Sequence, residues 1–313
     1  MARFVIAFVL VATLFGLLER LYRRTWPVEE ADSANARRRF GLRRDTRTDL
    51  LYTLFTPLVT RSITTVGLVI AALLLARAQG LELDLSHGAK RALAPFFEGT
   101  SIHAQPRWIQ GVELALLLDL SSYWIHRLFH RRRLWPFHAV HHSSSRLTWL
   151  SSVRLHPVND LLTRVLQVVL LLLLGFDPTL LAALVPFTGL YALLLHARVP
   201  WDFGPFRYVL ASPLFHRWHH TSAAEGRDKN FAGLFPIWDM VFGTLYLPRA
   251  APTRFGVDEP VPVSFLAQLT WPFRKRASHP NPASPPQGEA HDAGDAPPRV
   301  DAIDPEAPGE PDR

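Results

Sequence analysis

Five long apolar runs alternate with short polar stretches in the first two thirds of the chain. They cover about residues 4–18, 51–78, 108–130, 161–176 and 179–196. Each run approaches the roughly 20 residues with which an α-helix crosses a hydrocarbon core of about 30 Å. The pattern therefore predicts an all-α, polytopic membrane bundle of about four to five spans with a histidine-rich helical cap. The odd number of runs leaves open that some of the last three are re-entrant or half-buried helices.

The same pattern divides the chain into four segments. Residues 1–107 form an N-terminal anchor region with two spans, 108–250 form a histidine-rich domain, and 251–276 form a peripheral segment. Residues 277–313 contain nine Pro and only two large apolar side chains. Such a composition cannot bury enough surface to offset chain entropy, so this acidic tail is predicted to be disordered.

Positive charge predicts the orientation of the bundle. Nine Arg lie between residues 20 and 47 and six between 127 and 154, whereas the turn at 175–178 has none. Because cytoplasmic loops carry the basic excess, residues 131–157 and everything after 197 are predicted to be cytoplasmic. The net charge of +7 consists of −6 in the tail and +13 elsewhere. Since much of the basic excess flanks apolar runs, this distribution argues against nucleic acid as a partner.

Histidine is distributed very unevenly. Ten of the 14 His fall between residues 126 and 220, where they include one His-x3-His pair and two His-x-x-His-His boxes. Positions i, i+3 and i+4 share one face of a helix, so each element can present its imidazoles towards one point. The predicted orientation places all ten at the cytoplasmic face. They are His126, His130, His138, His141, His142, His156, His196, His216, His219 and His220. We interpret His87, His103, His279 and His291 as solvated surface or tail residues.

Imidazoles gathered at one depth of a membrane favour a metal site, because clustered protonated rings repel and unpaired rings near lipid are costly. The chain has no Cys, which excludes thiolate zinc sites and iron–sulfur clusters. Imidazole suits Fe, Cu, Ni and Zn, and a structural zinc takes four ligands. Ten nitrogens therefore predict two metal ions with roughly five ligands each and an open position on each. The lack of Glu-x-x-His spacing argues against a carboxylate-bridged di-iron bundle.

Residues 108–247 resemble the fatty acid hydroxylase and sterol desaturase superfamily, which are integral-membrane di-iron oxygenases. The matching positions are Asp119, Tyr123-Trp124, the histidine boxes, Arg154-x-His156-Pro157, His196, Asn230-Phe231, Ile237-Trp238-Asp239 and Phe242-Gly243-Thr244. The resemblance implies two Fe ions, with Zn as an occupant in purified material, and O2-dependent hydroxylation or desaturation of a lipid C–H bond. It makes the eight box histidines the first ligands, then His196, and last His156, which could equally cap the fourth span.

Three further polar residues are candidates for orienting the ligands. Asp119 lies two helical turns before His126, where it either accepts a hydrogen bond from a ligand imidazole or pairs with a buried Arg such as Arg61. Asn230 and Asp239 either orient ligands or cap a helix or turn.

The implied reaction needs a lipid substrate, O2 and electrons from another protein. The chain has neither Cys for a ferredoxin-type cluster nor a glycine-rich dinucleotide fingerprint. A ferredoxin or small cytochrome with its reductase is the expected donor, and an acidic one could dock on Arg131–Arg133. Alternatively, these Arg only enforce topology. A membrane di-zinc hydrolase and a non-enzymatic metal-binding membrane protein are the competing functions.

Overall fold

The structure is a computed structural model that describes residues 2–22 and 35–274, with side chains for 6–22 and 45–274. The described residues form helices joined by turns and by longer irregular segments such as 242–264, and they contain no strand, only an isolated bridge between Thr221 and Phe255. The prediction of an all-α fold is confirmed. The acidic tail, with His279 and His291, lies outside the described residues.

The helices in the described part of the chain are numbered in order. They are α1 (Ala2–Leu21), α2 (Asn35–Phe55), α3 (Arg61–Gln79), α4 (Ala89–Phe97), α5 (Arg107–Phe129), α6 (Trp135–His142), α7 (Pro157–Leu174), α8 (Pro178–His196), α9 (Pro213–His219), α10 (Ile237–Val241) and α11 (Phe265–Thr270).

Three helical segments within the described ranges are long and apolar enough to cross a membrane, namely Asp45–Gln79, Pro157–Leu174 and Pro178–His196. The first joins α2 to α3 through a π-helical turn at Thr56–Thr60, which accommodates Pro57 without ending the helix. Only 6% of the apolar window of α8 is buried within the protein. Large apolar side chains of α8 such as Phe187 and Leu190 are exposed, as expected for a helix in lipid. The predicted count of four to five spans is not confirmed.

The run at 108–130 forms α5, which differs from the three apolar segments in its polar content. It carries Glu113, Asp119 and Arg127 in addition to His126. Asp119 and Tyr123 are buried within the protein. The second half of α5 therefore belongs to the histidine region.

A close helix–helix contact and a tight turn position α3, α7 and α8. Gly67 lets α3 approach α7, because a Cβ there would come within 2.5 Å of Leu161 Cδ1. The turn between α7 and α8 is tight, since Gly175 has a φ of +81° and the Asp177 carboxylate caps α8 by accepting a hydrogen bond from Thr179 N. This hairpin returns α8 so that His196, at its last residue, lies against α9.

A fully buried arginine joins α2 to the histidine region. Arg154 Nε donates to Asp49 Oδ1 at 2.6 Å, and Arg154 Nη2 donates to Asp45 Oδ1 at 3.1 Å. Removing one partner from a buried ion pair typically costs about 3–5 kcal/mol, because the other charge stays buried without compensation. These two ion pairs therefore hold the start of the Asp45–Gln79 segment against the residues that precede α7.

Candidate metal centre

Nine of the ten predicted ligand histidines converge in two groups, within each of which the candidate ligand atoms all lie within 4.8 Å of one another. The five-histidine group contains His126, His130, His138, His142 and His219. The four-histidine group contains His141, His196, His216 and His220. The rings of His142 and His220, one from each group, stack with centroids 4.3 Å apart, so the groups are adjacent.

Each His-x-x-His-His box is divided between the two groups. On α6, His138 and His142 belong to the five-histidine group and His141 to the other. The box at α9 is divided the same way, with His216 and His220 in the four-histidine group and His219 in the other. The expectation that each element aims at one point needs correction, and helix geometry gives the reason. At 3.6 residues per turn, position i+4 lies about 40° to one side of i and position i+3 about 60° to the other.

Four of the nine rings have an unambiguous protonation pattern. Their Nδ1 atoms lie 2.7–3.1 Å from backbone carbonyl oxygens, which only accept hydrogen bonds. The pairs are His126 with Phe231, His141 with Arg154, His196 with Ala192, and His219 with Lys229. The proton of each neutral ring is therefore on Nδ1, and Nε2 carries a lone pair.

Within each group, the Nε2 atoms of neighbouring rings lie close to one another. Six separations of 2.9–3.2 Å link His126–His138, His138–His142, His142–His219, His141–His196, His196–His216 and His216–His220. Between His141 and His196, both Nε2 atoms are lone-pair acceptors, so no hydrogen bond can join them. Metal–imidazole bonds are about 2.0–2.1 Å long, which puts neighbouring ligands at roughly right angles on one ion about 3 Å apart. The donor set thus fits a metal ion in each group.

Burial keeps the rings neutral, as metal ligands must be. It lowers the pKa of His138, His141 and His142 on α6 well below the ordinary value of 6.5. It does the same for His219 and His220, with the neighbouring imidazoles as a further cause. Neutral imidazole is the form that binds a metal.

Side chains rather than carbonyls orient two members of the five-histidine group. His138 Nδ1 lies 2.8 Å from Asn159 Oδ1, and His130 Nδ1 lies 2.9 Å from Asp228 Oδ1. Hydrogen bonding with His130 lowers the pKa of Asp228, which keeps this carboxylate ionised. His130 Nε2 is buried with no hydrogen-bond partner, as expected of an atom directed at a metal. Sequence reasoning missed Asn159 and Asp228, whose nearest signals are the adjoining motifs at His156-Pro157 and Asn230-Phe231.

Asp119 contacts neither an imidazole nor Arg61. Its carboxylate accepts hydrogen bonds from the backbone N–H groups of Gly233, Leu234 and Phe235 at 2.7–3.1 Å. Two helical turns separate it from His126 by about 10 Å along the helix axis, too far for direct contact with that ring. Neither expected partner is therefore in contact with Asp119, and the carboxylate holds the loop at 229–235 instead.

Asn230 and Asp239 hold the same loop. Asp239 accepts hydrogen bonds from Phe231 N and Ala232 N, and Asn230, at a φ of +58°, donates to Phe215 O. The carbonyls of Lys229 and Phe231, on either side of Asn230, accept from His219 and His126. The two side chains thus hold the loop whose carbonyls contact the ligands, and they contact no imidazole themselves.

His156 lies outside both groups. Its Nδ1 accepts a hydrogen bond from Val158 N, which caps α7, and its Nε2 donates to Leu269 O at 3.1 Å. Both ring nitrogens are thus occupied by backbone contacts, and the residue takes the second of its two expected roles, the cap of the fourth apolar run. The structure offers five and four imidazoles where the sequence predicted roughly five each.

Comparison with known proteins locates a family domain over this site. Residues 112–244 match the family model described as fatty acid hydroxylase, and this segment contains all nine converging histidines. This segment of the chain is therefore similar to a fatty acid hydroxylase domain. The resemblance predicted from the histidine boxes is confirmed.

Several characterised relatives are similar over different lengths. Ornithine lipid hydroxylase OlsE of Rhizobium tropici is 28% identical over 281 residues, which cover 87% of this chain and 76% of that protein. Alkylglycerol monooxygenase of Danio rerio is 32% identical over 145 residues, covering 46% of this chain and 32% of that protein. Methylsterol monooxygenase 1 of Rattus norvegicus is 27% identical over 146 residues, covering 44% and 48%. No solved structure matches significantly.

These relatives are named hydroxylases and monooxygenases, which are oxidoreductases. This chain is an enzyme of the same class, and the comparisons together with its apolar helices support a membrane lipid oxygenase. Its two histidine groups are able to bind metal.

Proposed function

We propose that this protein is a membrane-bound di-iron oxygenase that hydroxylates or desaturates a C–H bond of a lipid, using O2 and electrons from a separate donor protein. The observation that carries the proposal is the pair of adjacent groups of inward-facing Nε2 atoms within a fatty acid hydroxylase domain. Iron bound there would supply O2 activation and the oxidation of an unactivated C–H bond.

The residues of the chain prepare the site in three ways. The five-histidine group would hold one ion and the four-histidine group the other. Backbone carbonyls such as Phe231 O and Arg154 O hold the Nδ1 protons, which keeps each Nε2 turned inward. Burial of His138, His141 and His216 excludes bulk water from the reaction.

The proposed substrate is a membrane lipid that reaches the site from the bilayer. The relative named for ornithine lipids aligns over most of this chain, whereas those named for alkylglycerols and methylsterols align over less than half. An ornithine lipid is therefore the first substrate to test. The Arg-rich stretches flanking the site support a position at the cytoplasmic face.

Lipid mass spectrometry with isotopic oxygen tests this proposal. Cells producing the unchanged protein, grown under ¹⁸O2, should accumulate a lipid that has gained one ¹⁸O atom or lost two hydrogens. A His141→Ala/His219→Ala variant should insert normally and yield neither product. Mössbauer spectra of iron-loaded protein should show two iron sites. Turnover without O2 or reductant would instead establish a hydrolase, and bound metal without any lipid product would establish a metal-binding protein.

A further inference from the structure

One hydrogen bond links the five-histidine group to an exposed carboxylate, that of Asp228. Asp228 Oδ1 contacts His130 Nδ1 at 2.9 Å, and the Asp228 side chain is 71% exposed, whereas that of His130 is 8% exposed. Among the described residues, Asp228 is the only carboxylate in contact with any of the nine imidazoles. An ionised group open to solvent is thus one hydrogen bond from a ring whose other nitrogen faces the proposed metal.

A strongly basic surface adjoins this point. Arg131, Arg132 and Arg133 form the turn between α5 and α6, immediately after His130 and five residues before His138. All three are exposed, and none forms a salt bridge with the described residues, although Arg131 is attracted to the nearby Asp228 carboxylate. A shallow concavity lined by Trp124, Arg127, Leu128 and Arg131 continues this surface along α5. We call residues 131–133 the arginine turn.

An aromatic ring lies beneath the same surface. Trp135 is half-buried, and its ring centroid lies 5.1 Å from that of His130 and 5.4 Å from that of His142. The Trp135 Nε1 donates to Glu259 Oε1, which fixes the indole against the two rings. Trp135, two residues after the arginine turn, therefore contacts two rings of the five-histidine group.

We propose that an acidic one-electron carrier protein docks on the arginine turn and reduces the five-histidine group through Asp228 and His130. This inference rests on the proposed function. Hydroxylation consumes one lipid C–H bond, one O2, two electrons and two protons, and it yields an alcohol and one water. The carrier is oxidised twice per turnover, each time as one ferric ion becomes ferrous. Exposed guanidinium groups attract an acidic partner and accelerate its encounter in a salt-dependent way.

Matched charge reversals test the docking surface. The probe is an acidic plant-type [2Fe–2S] ferredoxin, and the full-length protein is held in phosphatidylcholine nanodiscs. The test variant is Arg132→Glu/Arg133→Glu, which leaves Arg131 beside Asp228 unchanged. The control is Arg249→Glu/Arg254→Glu, which changes the net charge equally at two other exposed positions. Surface plasmon resonance on iron-free protein measures binding, and stopped-flow absorbance on iron-loaded protein measures oxidation of the reduced ferredoxin.

We expect the test variant to weaken ferredoxin binding by about tenfold or more at low salt and to flatten its salt dependence, whereas the control changes little. Equal losses in both variants, no loss in either, or no binding to the unchanged protein would overturn the proposal. If the test variant instead loses only its affinity for anionic phosphatidylglycerol vesicles, the arginine turn is a membrane contact and the proposal is also overturned.

Two further measurements complete the test. Asp228→Asn should leave ferredoxin binding at least as tight as in the unchanged protein but slow ferredoxin oxidation, because it removes the ionised contact to His130. Unchanged oxidation kinetics would refute the route through Asp228. Dithionite, which needs no docking, should reduce the iron in every variant. Iron that dithionite cannot reduce would defeat the proposed function itself, independently of the binding result.

Discussion

Replacement of Asp119 tests whether the loop at 229–235, whose carbonyls orient ligand histidines, affects the metal affinity of the site. The buried carboxylate accepts three backbone hydrogen bonds, from Gly233 and Leu234 to Oδ1 and from Phe235 to Oδ2. The same loop carries the Phe231 carbonyl that orients His126. Loss of the carboxylate should therefore loosen the loop and, through it, the ligand.

The structure sets the expected magnitudes. A hydrogen bond to a charged acceptor contributes about 1.5–3 kcal/mol. Asp119→Asn keeps an oxygen at Oδ1 and loses the bond from Phe235, so it should cost about that amount. Asp119→Ala loses all three bonds, but relaxation and water entry reduce the simple sum, and we expect about 3–5 kcal/mol. Metal affinity should fall about tenfold for Asp119→Asn and up to about 100-fold for Asp119→Ala.

Thermal unfolding of metal-free protein and Co²⁺ titration against a competing chelator measure these two effects. Glu113→Gln is the matched control, because Glu113 lies on the same helix and makes no hydrogen bond with the described residues. An Asp119→Ala variant that binds Co²⁺ as tightly as the unchanged protein, or that behaves like Glu113→Gln, would refute the role of the loop.

Three other predictions concern the histidines. His141→Ala and His219→Ala should each reduce bound metal from two ions towards one while leaving membrane insertion intact, since they belong to different groups; elemental analysis would contradict this if either variant kept two ions. His156→Ala should cost about 1 kcal/mol through loss of the α7 cap and leave metal content unchanged, so a loss of metal would restore it as a ligand. Metal-free protein should lose stability as the pH falls below 6.5. Burial lowers the folded-state pKa of rings such as His138 and His220, so the unfolded chain binds more protons there; a melting temperature that is flat between pH 7 and 5 would contradict this.

The chemistry of the site could be predicted from sequence because it depends on local spacing. The His-x-x-His-His boxes lie on the short helices α6 and α9, and a helix places positions 138, 141 and 142 on one side whatever surrounds it. The same applies to the turn after Gly175 and to the apolar runs that form α7 and α8. These features need only the backbone and its nearest neighbours in sequence.

Other features depended on long-range contacts. Spacing does not reveal that His141 joins His196 while His142 joins His219, because this follows from how α6, α8 and α9 are placed relative to one another. It also does not show that Asp228, 98 residues from His130, approaches that ring.

The sequence by itself determined the long apolar helices, the histidine boxes and the resemblance to a family, since each depends on short-range periodicity and residue type. Only the tertiary structure decided how nine imidazoles divide into two groups, why His156 is a cap, and that Asp119 holds a loop. The physical reason is that a side chain's partner depends on which groups packing leaves within about 3 Å of it, and packing is a property of the whole chain.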